Sequence, residues 1–233
     1  MRSNSIIELF ALFVFSAAAM GVSTAAGLEG FTNQQSVSGL KDALQQGAAN
    51  AVASLGKQDG FLANPKVKIP LPGPLAKGEK LMRTLGMGKQ ADELVTAMNR
   101  AAEEAIPEAK TLLANAVKTM SVTDAKGILT GGENAATKYF REKTETTLRG
   151  KFLPIVTRTT SKVGLAQQYN NYADKAAATG LLKGDDTKVE NYVTQKTLDG
   201  LYLMMAEEET AIRQNPVQAG SDLAKKIFES LRR

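Results

Sequence analysis

Apolar residues return every three or four positions along most of this chain, and a cluster of prolines breaks that rhythm once. Leu40, Leu44, Ala48, Ala51, Val52 and Leu55 share one helical face, which Gly56 brings to a stop. Pro65, Pro70, Pro72 and Pro74 then follow in close succession. Each proline removes an amide donor and biases its predecessor toward extended backbone, so no helix continues through them. Val67 and Ile69 alternate with Lys66 and Lys68, which predicts an extended or edge-strand segment over residues 57–74. Phe61, Leu62, Val67, Ile69, Leu71 and Leu75 are too apolar for a solvated tether, so the segment reads as a strap laid across helices.

Beyond the strap the helical rhythm resumes. Pro74 suits the first turn of a helix running to about Leu85, before Gly86 and Gly88. Leu94, Val95, Met98, Ala101, Ala102 and Ala105 mark the next, and Pro107 starts one with Leu112, Leu113, Ala116, Val117 and Met120 inward. Ser121 and Asp124 have capping-box spacing and open a short helix ended by Gly131 and Gly132. Residues 134–163 carry Ala136, Tyr139, Phe140, Leu148, Phe152, Ile155 and Val156 at helical steps, with Pro154 expected to kink or divide the helix. Residues 165–179 form another, ended by Gly180. Thr187 and Glu190 match the capping box and open the longest helix, which runs to about Asn215; Ser221 caps the last. The expected fold class is all-α, a single multi-helix bundle of about eight helices with one Pro-rich extended strap. It occupies residues 40–233 behind a polar lead over residues 26–39.

Three absences bound the chemistry. With no Cys there is no disulfide framework, thiol nucleophile or thiolate zinc site, and with no His there is no Ser-His-Asp triad or imidazole ligand. The chain also has no Trp. Carboxylates, Lys, Ser/Thr, Tyr or a hard metal held by oxygen are what remain. The formal charge of +5 comes from interleaved signs rather than a basic stripe, and no nucleic-acid module is present, so no nucleic-acid partner is expected. No cofactor is expected either.

Residues 1–25 read as a secretory signal peptide: Arg2, an apolar run from Leu9 to Val22, then small residues. Cleavage is expected near Ala25 or Ala26, giving a periplasmic or extracellular protein. The run is shorter than the roughly 20 residues a membrane-crossing helix needs, and no later stretch is long enough, so the mature chain should have no span.

Glycine motifs do not support a phosphate site. Gly73 and Gly78, and Gly127 and Gly132, have P-loop spacing, but Glu79 and Glu133 stand where the loop needs Lys and would repel phosphate. Gly86 and Gly88 lack the third glycine and the strand of a dinucleotide site. The informative stretch is Tyr192 to Arg213. Leu198, Leu201, Tyr202, Leu203, Met204, Met205 and Ala206 make it apolar all round, as expected at a bundle centre. Glu207, Glu208 and Glu209 follow. Glu208 continues the face of Leu201 and Met204, so it is expected to point inward and to need Arg100, Arg141 or Arg158 as partner. The glutamates then read either as a structural salt bridge near the bundle end or as a solvated run in which Glu209 pairs with Arg213 across one turn; Arg100 and Glu104, at the same spacing, are expected to pair. Glu103 and Glu104 could meet Glu207 or Glu208 across the bundle. Without His the usual di-metal carboxylate site is impossible, which leaves only an all-oxygen Ca or Mg site, and no metal site is assigned. Tyr139, Phe140, Tyr169, Tyr172, Tyr192 and Tyr202 read as core or rim packing.

Several strings carry a family resemblance: Asp59-Gly-Phe-Leu-Ala-Asn-Pro65, Lys68-Ile-Pro-Leu-Pro72, Met98-Asn-Arg-Ala-Ala-Glu-Glu104, and Leu198 through Met204-Met-Ala-Glu-Glu-Glu209. Lys151-Phe-Leu-Pro-Ile-Val156, Val163-Gly-Leu165 with Gln168-Tyr-Asn170, and Ala211-Ile-Arg-Gln-Asn-Pro216 extend it over nearly all of the expected mature chain. The chain resembles the bacterial exported helical family catalogued as domain of unknown function 4197. The resemblance implies an exported all-α protein and carries over no catalytic residue. Many members carry a lipoprotein Cys after the signal; this chain has none, so the resemblance does not extend to lipid attachment.

The functional expectation is a non-enzymatic binding or scaffold protein of the cell envelope. Its partner would be an amphiphile, a peptide or an envelope protein, held by an apolar wall of Met98, Met204 and Met205 with Arg100, Glu104, Arg141 and Glu208 as polar groups. The alternative is a carboxylate-based hydrolase of glycan-type substrates using Glu103, Glu104, Glu207 or Glu208. That chemistry needs two carboxylates opposed at about 5 to 9.5 Å.

Overall fold

Thr32 fixes where the first helix begins. In the computed structural model, which describes residues 30–178 and 188–231, its hydroxyl accepts from the Gln35 amide at 3.1 Å. The Gln35 side-chain oxygen accepts the Thr32 amide at 2.9 Å, a reciprocal capping box. Helix α1 therefore spans Asn33–Leu55. The lead expected over residues 26–39 thus contributes two turns of helix, residues 33–39, with Ser36 and Gly39 buried. These small residues hide from an apolar-period reading because their role is close approach: a Cβ at Gly39 would lie 2.4 Å from Ile227 Cδ1. The signal peptide with its cleavage site, Gly180, Thr187, the Tyr172 side chain and the terminal arginines lie outside the described residues.

The strap follows α1, and its Phe61, Val67, Ile69 and Leu71 are buried. It is a succession of turns rather than a strand: Gly60 N donates to Lys57 O, Asn64 N to Phe61 O and Lys68 N to Asn64 O. Among the described residues there is no β-strand. A strand needs a backbone partner, and here the neighbours are helices that offer side chains only. Phe61 and Val67 lie directly on helix backbone at Gly200, where a Cβ would come within 2.8 Å of Phe61 Cε1 and 3.3 Å of Val67 Cβ.

The remaining helices are α2 (Gly73–Thr84), α3 (Gly88–Ala105), α4 (Ala109–Lys118), α5 (Val122–Thr130), α6 (Ala135–Thr160), α7 (Gly164–Ala178), α8 (Val189–Gln214) and α9 (Asp222–Ser230). Single 3-10 turns at Ile106–Glu108 and Pro216–Gln218 link α3 to α4 and α8 to α9. The fold is an all-α multi-helix bundle. Helices α6 and α8, 26 residues each, form its centre, with α3 against α6 and α1 against α8, α9 and α4. Ser121 and Asp124 make the expected capping box on α5, and Ser221 caps α9 by accepting the Ala224 amide.

Two expectations change. Pro154 does not divide α6, which runs unbroken through it. The carbonyl deprived of a donor belongs to Gly150, an exposed residue, so water can satisfy it. Nor is α8 buried all round: Leu198, Leu201, Tyr202 and Met205 are buried, whereas Leu203 is exposed and Met204 half-buried.

Candidate functional site

Polar side chains inside an apolar bundle are costly unless each finds a partner, so they mark where sequence has been spent on something other than packing. The buried polar set includes Asn99, Glu103, Thr144, Thr197 and Glu209. Among the described residues, the Thr194 hydroxyl alone of the buried side-chain polar atoms lacks a hydrogen bond.

Glu103, on α3 and 5% exposed, accepts the amides of Phe61 and Leu62 on one carboxylate oxygen, both at 3.0 Å. Its other oxygen lies 2.6 Å from Arg100 Nη1, and Arg100 Nη2 lies 2.8 Å from Asp59. Asp59 holds a left-handed backbone with φ of 67°, so the arginine steadies the tight turn whose amides Glu103 receives. Bonds to Glu103 and then Asp59 push the Arg100 pKa above the ordinary arginine value. One turn earlier, Asn99 accepts the Ile69 amide at 2.8 Å and donates to the Ile69 carbonyl at 2.9 Å. An amide side chain thus takes the place of a neighbouring strand, and the strap's central backbone groups are satisfied in the core.

The same device recurs on α8. Glu209, 6% exposed, accepts the Ala136 amide at 3.1 Å and the Thr137 amide at 2.9 Å. These are orphan donors of the first turn of α6, whose own N-cap Asn134 makes no side-chain cap bond. Arg213, one turn on, donates to Glu209 at 2.9 and 3.0 Å and to the Ile128 carbonyl at 2.9 Å. The start of α6, the end of α5 and the C-terminal part of α8 therefore meet at one carboxylate–guanidinium pair. At the other end of α8, Asn170 of α7 accepts the Val189 amide and donates to Glu190. Lys188, the N-cap residue of α8, gives no side-chain cap of its own.

The residues singled out in the sequence do not gather in one place. Arg100 pairs with Glu103 rather than with Glu104, because Glu103 is the carboxylate turned toward the strap. Glu104 instead binds the Thr159 hydroxyl at 2.8 Å and the Arg158 guanidinium, which hold its carboxyl below the usual glutamate range, the hydroxyl most. Arg141 stacks on the Tyr202 ring, 4.5 Å from its centroid, with Glu145 at 3.5 Å and Asp199 at 3.7 Å. Glu207 pairs with Lys66 of the strap at 2.8 Å. Glu208 is half-buried and accepts from Asn50 of α1 at 3.1 Å, and among the described residues no arginine pairs with it. The inward member of the glutamate triplet is Glu209, which pairs with Arg213 in the interior and not on a solvated run. Its stripe runs through Leu198, Leu201, Tyr202, Met205 and Ile212, all buried, and following that stripe in the sequence would have found it. Asn99 and Asn170 were signalled only by their poor fit to helix interiors.

Space within the bundle is small. Glu208 and Glu209 border a cavity of about 20 Å³ between α1, α6 and α8, lined otherwise by small and apolar residues such as Gly47 and Met205. That is room for about one water. A second hollow of about 80 Å³ lies between α1 and α4 beside Val52, Leu113 and Lys110. Among the described residues no three carboxylates gather closely enough to hold a metal ion, and no helix is long and apolar enough to cross a membrane.

No curated protein and no solved structure matches the chain. A family model does, over residues 30–229. That span holds every trans-cap described above: Glu103 on the strap turn, Asn99 on Ile69, Asn170 on α8 and Glu209 on α6. The chain belongs to the family described as Protein of unknown function (DUF4197).

Proposed function

We propose that this is an exported, non-enzymatic protein of the cell envelope that works as a rigid scaffold and meets its partners on its surface. One observation carries the reading: the four carboxylates that the sequence offers for acid–base chemistry are each engaged elsewhere. Glu103 is committed to strap amides and Arg100, Glu104 to Thr159 and Arg158, Glu207 to Lys66, and Glu208 to Asn50. A glycan hydrolase needs two carboxylates facing one sugar across open space. A cavity of about 20 Å³ also leaves no room for an amphiphile or peptide beside Glu208. Export rests on the apolar run from Leu9 to Val22 and its small-residue exit.

Native mass spectrometry of protein purified from its own host tests the scaffold. The expected mass is that of the bare processed chain. A retained small molecule, lost in Arg100→Ala or Glu208→Ala, would replace the scaffold with a binding site at the residue concerned. N-terminal sequencing of the same sample should begin near Ala25 or Ala26, and an intact Met1 would sink export.

A further inference from the structure

Among the described residues, α2 is the one α-helix without a buried residue. Twelve residues long, with two glycines, it is too short to stand by itself. Leu75 and Met82 lean on the core, and Arg83 bridges Glu79 and Asp92 of α3. The opposite flank turns Leu81 and Leu85, one turn apart, into solvent at 62% and 68% exposure. Elsewhere among the described residues the large exposed apolar side chains are single: Val122, Leu203 and Val217. Lys77, one turn before Leu81, and Lys80 beside it are exposed and make no ion pair among the described residues. Lys89 is exposed just beyond the glycine turn.

The charges decide what this face fits. A second copy laid on it would bring lysines against lysines. A neutral apolar groove would strip water from ammonium groups and give nothing in return. An anionic lipid surface meets both needs, since its acyl boundary takes the leucines while its phosphates neutralise lysines whose long stems reach back to the headgroups. A net charge of +5 acts in the same direction. We propose that α2 docks this protein peripherally on an anionic phospholipid surface, with Leu81 and Leu85 entering the interface and Lys77 and Lys80 on the headgroups. The docking face shares no residue with Glu103, Glu104, Glu207 and Glu208, so its failure would leave the scaffold reading standing.

The absence of cysteine gives a clean probe. A single cysteine from Thr84→Cys on α2, or from Thr96→Cys on α3 as control, carries an environment-sensitive dye on the processed protein. Vesicles of phosphatidylglycerol mixed equally with phosphatidylcholine should blue-shift the dye at 84 and shield it from an aqueous quencher, leaving the dye at 96 unchanged. Pure phosphatidylcholine should not, and added salt should weaken the response. Leu81→Gln with Leu85→Gln should lower vesicle affinity at least about tenfold with an unaltered circular dichroism spectrum. Lys77→Gln with Lys80→Gln should abolish the preference for anionic vesicles. No response at 84, an equal response at 96, or binding indifferent to the leucine substitutions would overturn the proposal. So would a dimer in sedimentation that the leucine substitutions dissolve, because a second copy would then be the occupant.

Discussion

One oxygen of Glu209 lies 2.9 Å from the Thr137 amide nitrogen and 3.0 Å from the Thr137 hydroxyl, so a residue of α8 caps the first turn of a helix through a residue 72 positions earlier. An ordinary N-cap lies next to the turn it serves and restrains only that turn. This one ties the two central helices to each other and, through Arg213, to the end of α5. Secondary and tertiary structure are therefore coupled at a single carboxylate.

Glu209→Ala should be among the most destabilising single changes in the chain. It strips the amides of Ala136 and Thr137 of their acceptor and leaves Arg213 half-buried without its partner. A cost of about 3 kcal/mol is expected in urea denaturation. Glu209→Gln keeps an acceptor oxygen and should cost about half as much. Equal stability of wild type and Glu209→Ala would show that the cap does not stabilise the fold.

Asn99→Leu should free the strap without unfolding the helices. The substitution removes both bonds to Ile69 and leaves its amide and carbonyl unsatisfied, at a cost of about 2 kcal/mol. Proteolysis between Gly56 and Leu75 should accelerate, and the Ile69 amide should exchange with solvent faster. If cleavage remains slow, apolar packing of Phe61, Val67, Ile69 and Leu71 holds the strap unaided.

Gly200→Ala tests the closeness of strap and α8. The new methyl would lie 2.8 Å from Phe61 Cε1 and 3.3 Å from Val67 Cβ, so the strap must lift. A loss of about 1 to 3 kcal/mol is expected. Adding Phe61→Leu should restore part of it, and the double-mutant cycle would register the contact as non-additivity.

Tyr202 supplies a pH dependence. Burial pushes its hydroxyl up to about 12, against a bond from Thr144 that acts in the opposite direction. The unfolded chain releases this proton near 10, so between pH 10 and 12 the native state holds more protons and stability falls as pH rises. The contribution is intact below pH 10, and the loss amounts to roughly 2 to 3 kcal/mol by pH 12. Tyrosinate absorbance should show Tyr202 titrating well above the ordinary tyrosine range, with Tyr139 also raised by burial. Tyr202→Phe should flatten the alkaline slope, and an unchanged slope would assign it to other groups.

The helices were legible in the sequence because each is written in its own residues. Leu40 to Leu55 show their stripe and Gly56 their stop; Ser121 with Asp124, and Ser221, announce their helices through bonds spanning three residues. Such signals are local, and local physics is all that a periodicity or a cap requires. The apolar content of the strap likewise foretold that it would be buried.

The partners of Glu103, Asn99, Asn170 and Glu209 were decided only by the tertiary structure. The sequence marks a carboxylate at position 103 and another at 104, on adjacent faces of one helix. It holds nothing to say that two strap amides, 41 and 42 positions back, arrive at the first and Arg158 at the second. In the same way Glu208 and Glu209 differ by one helical step, and the start of α6 settles which turns inward. Periodicity fixes which side of a helix is apolar, but at the edge of that side a polar residue follows whatever unsatisfied backbone the neighbouring element brings. That is a property of assembled helices rather than of any one segment, and the chain acquires it only on packing.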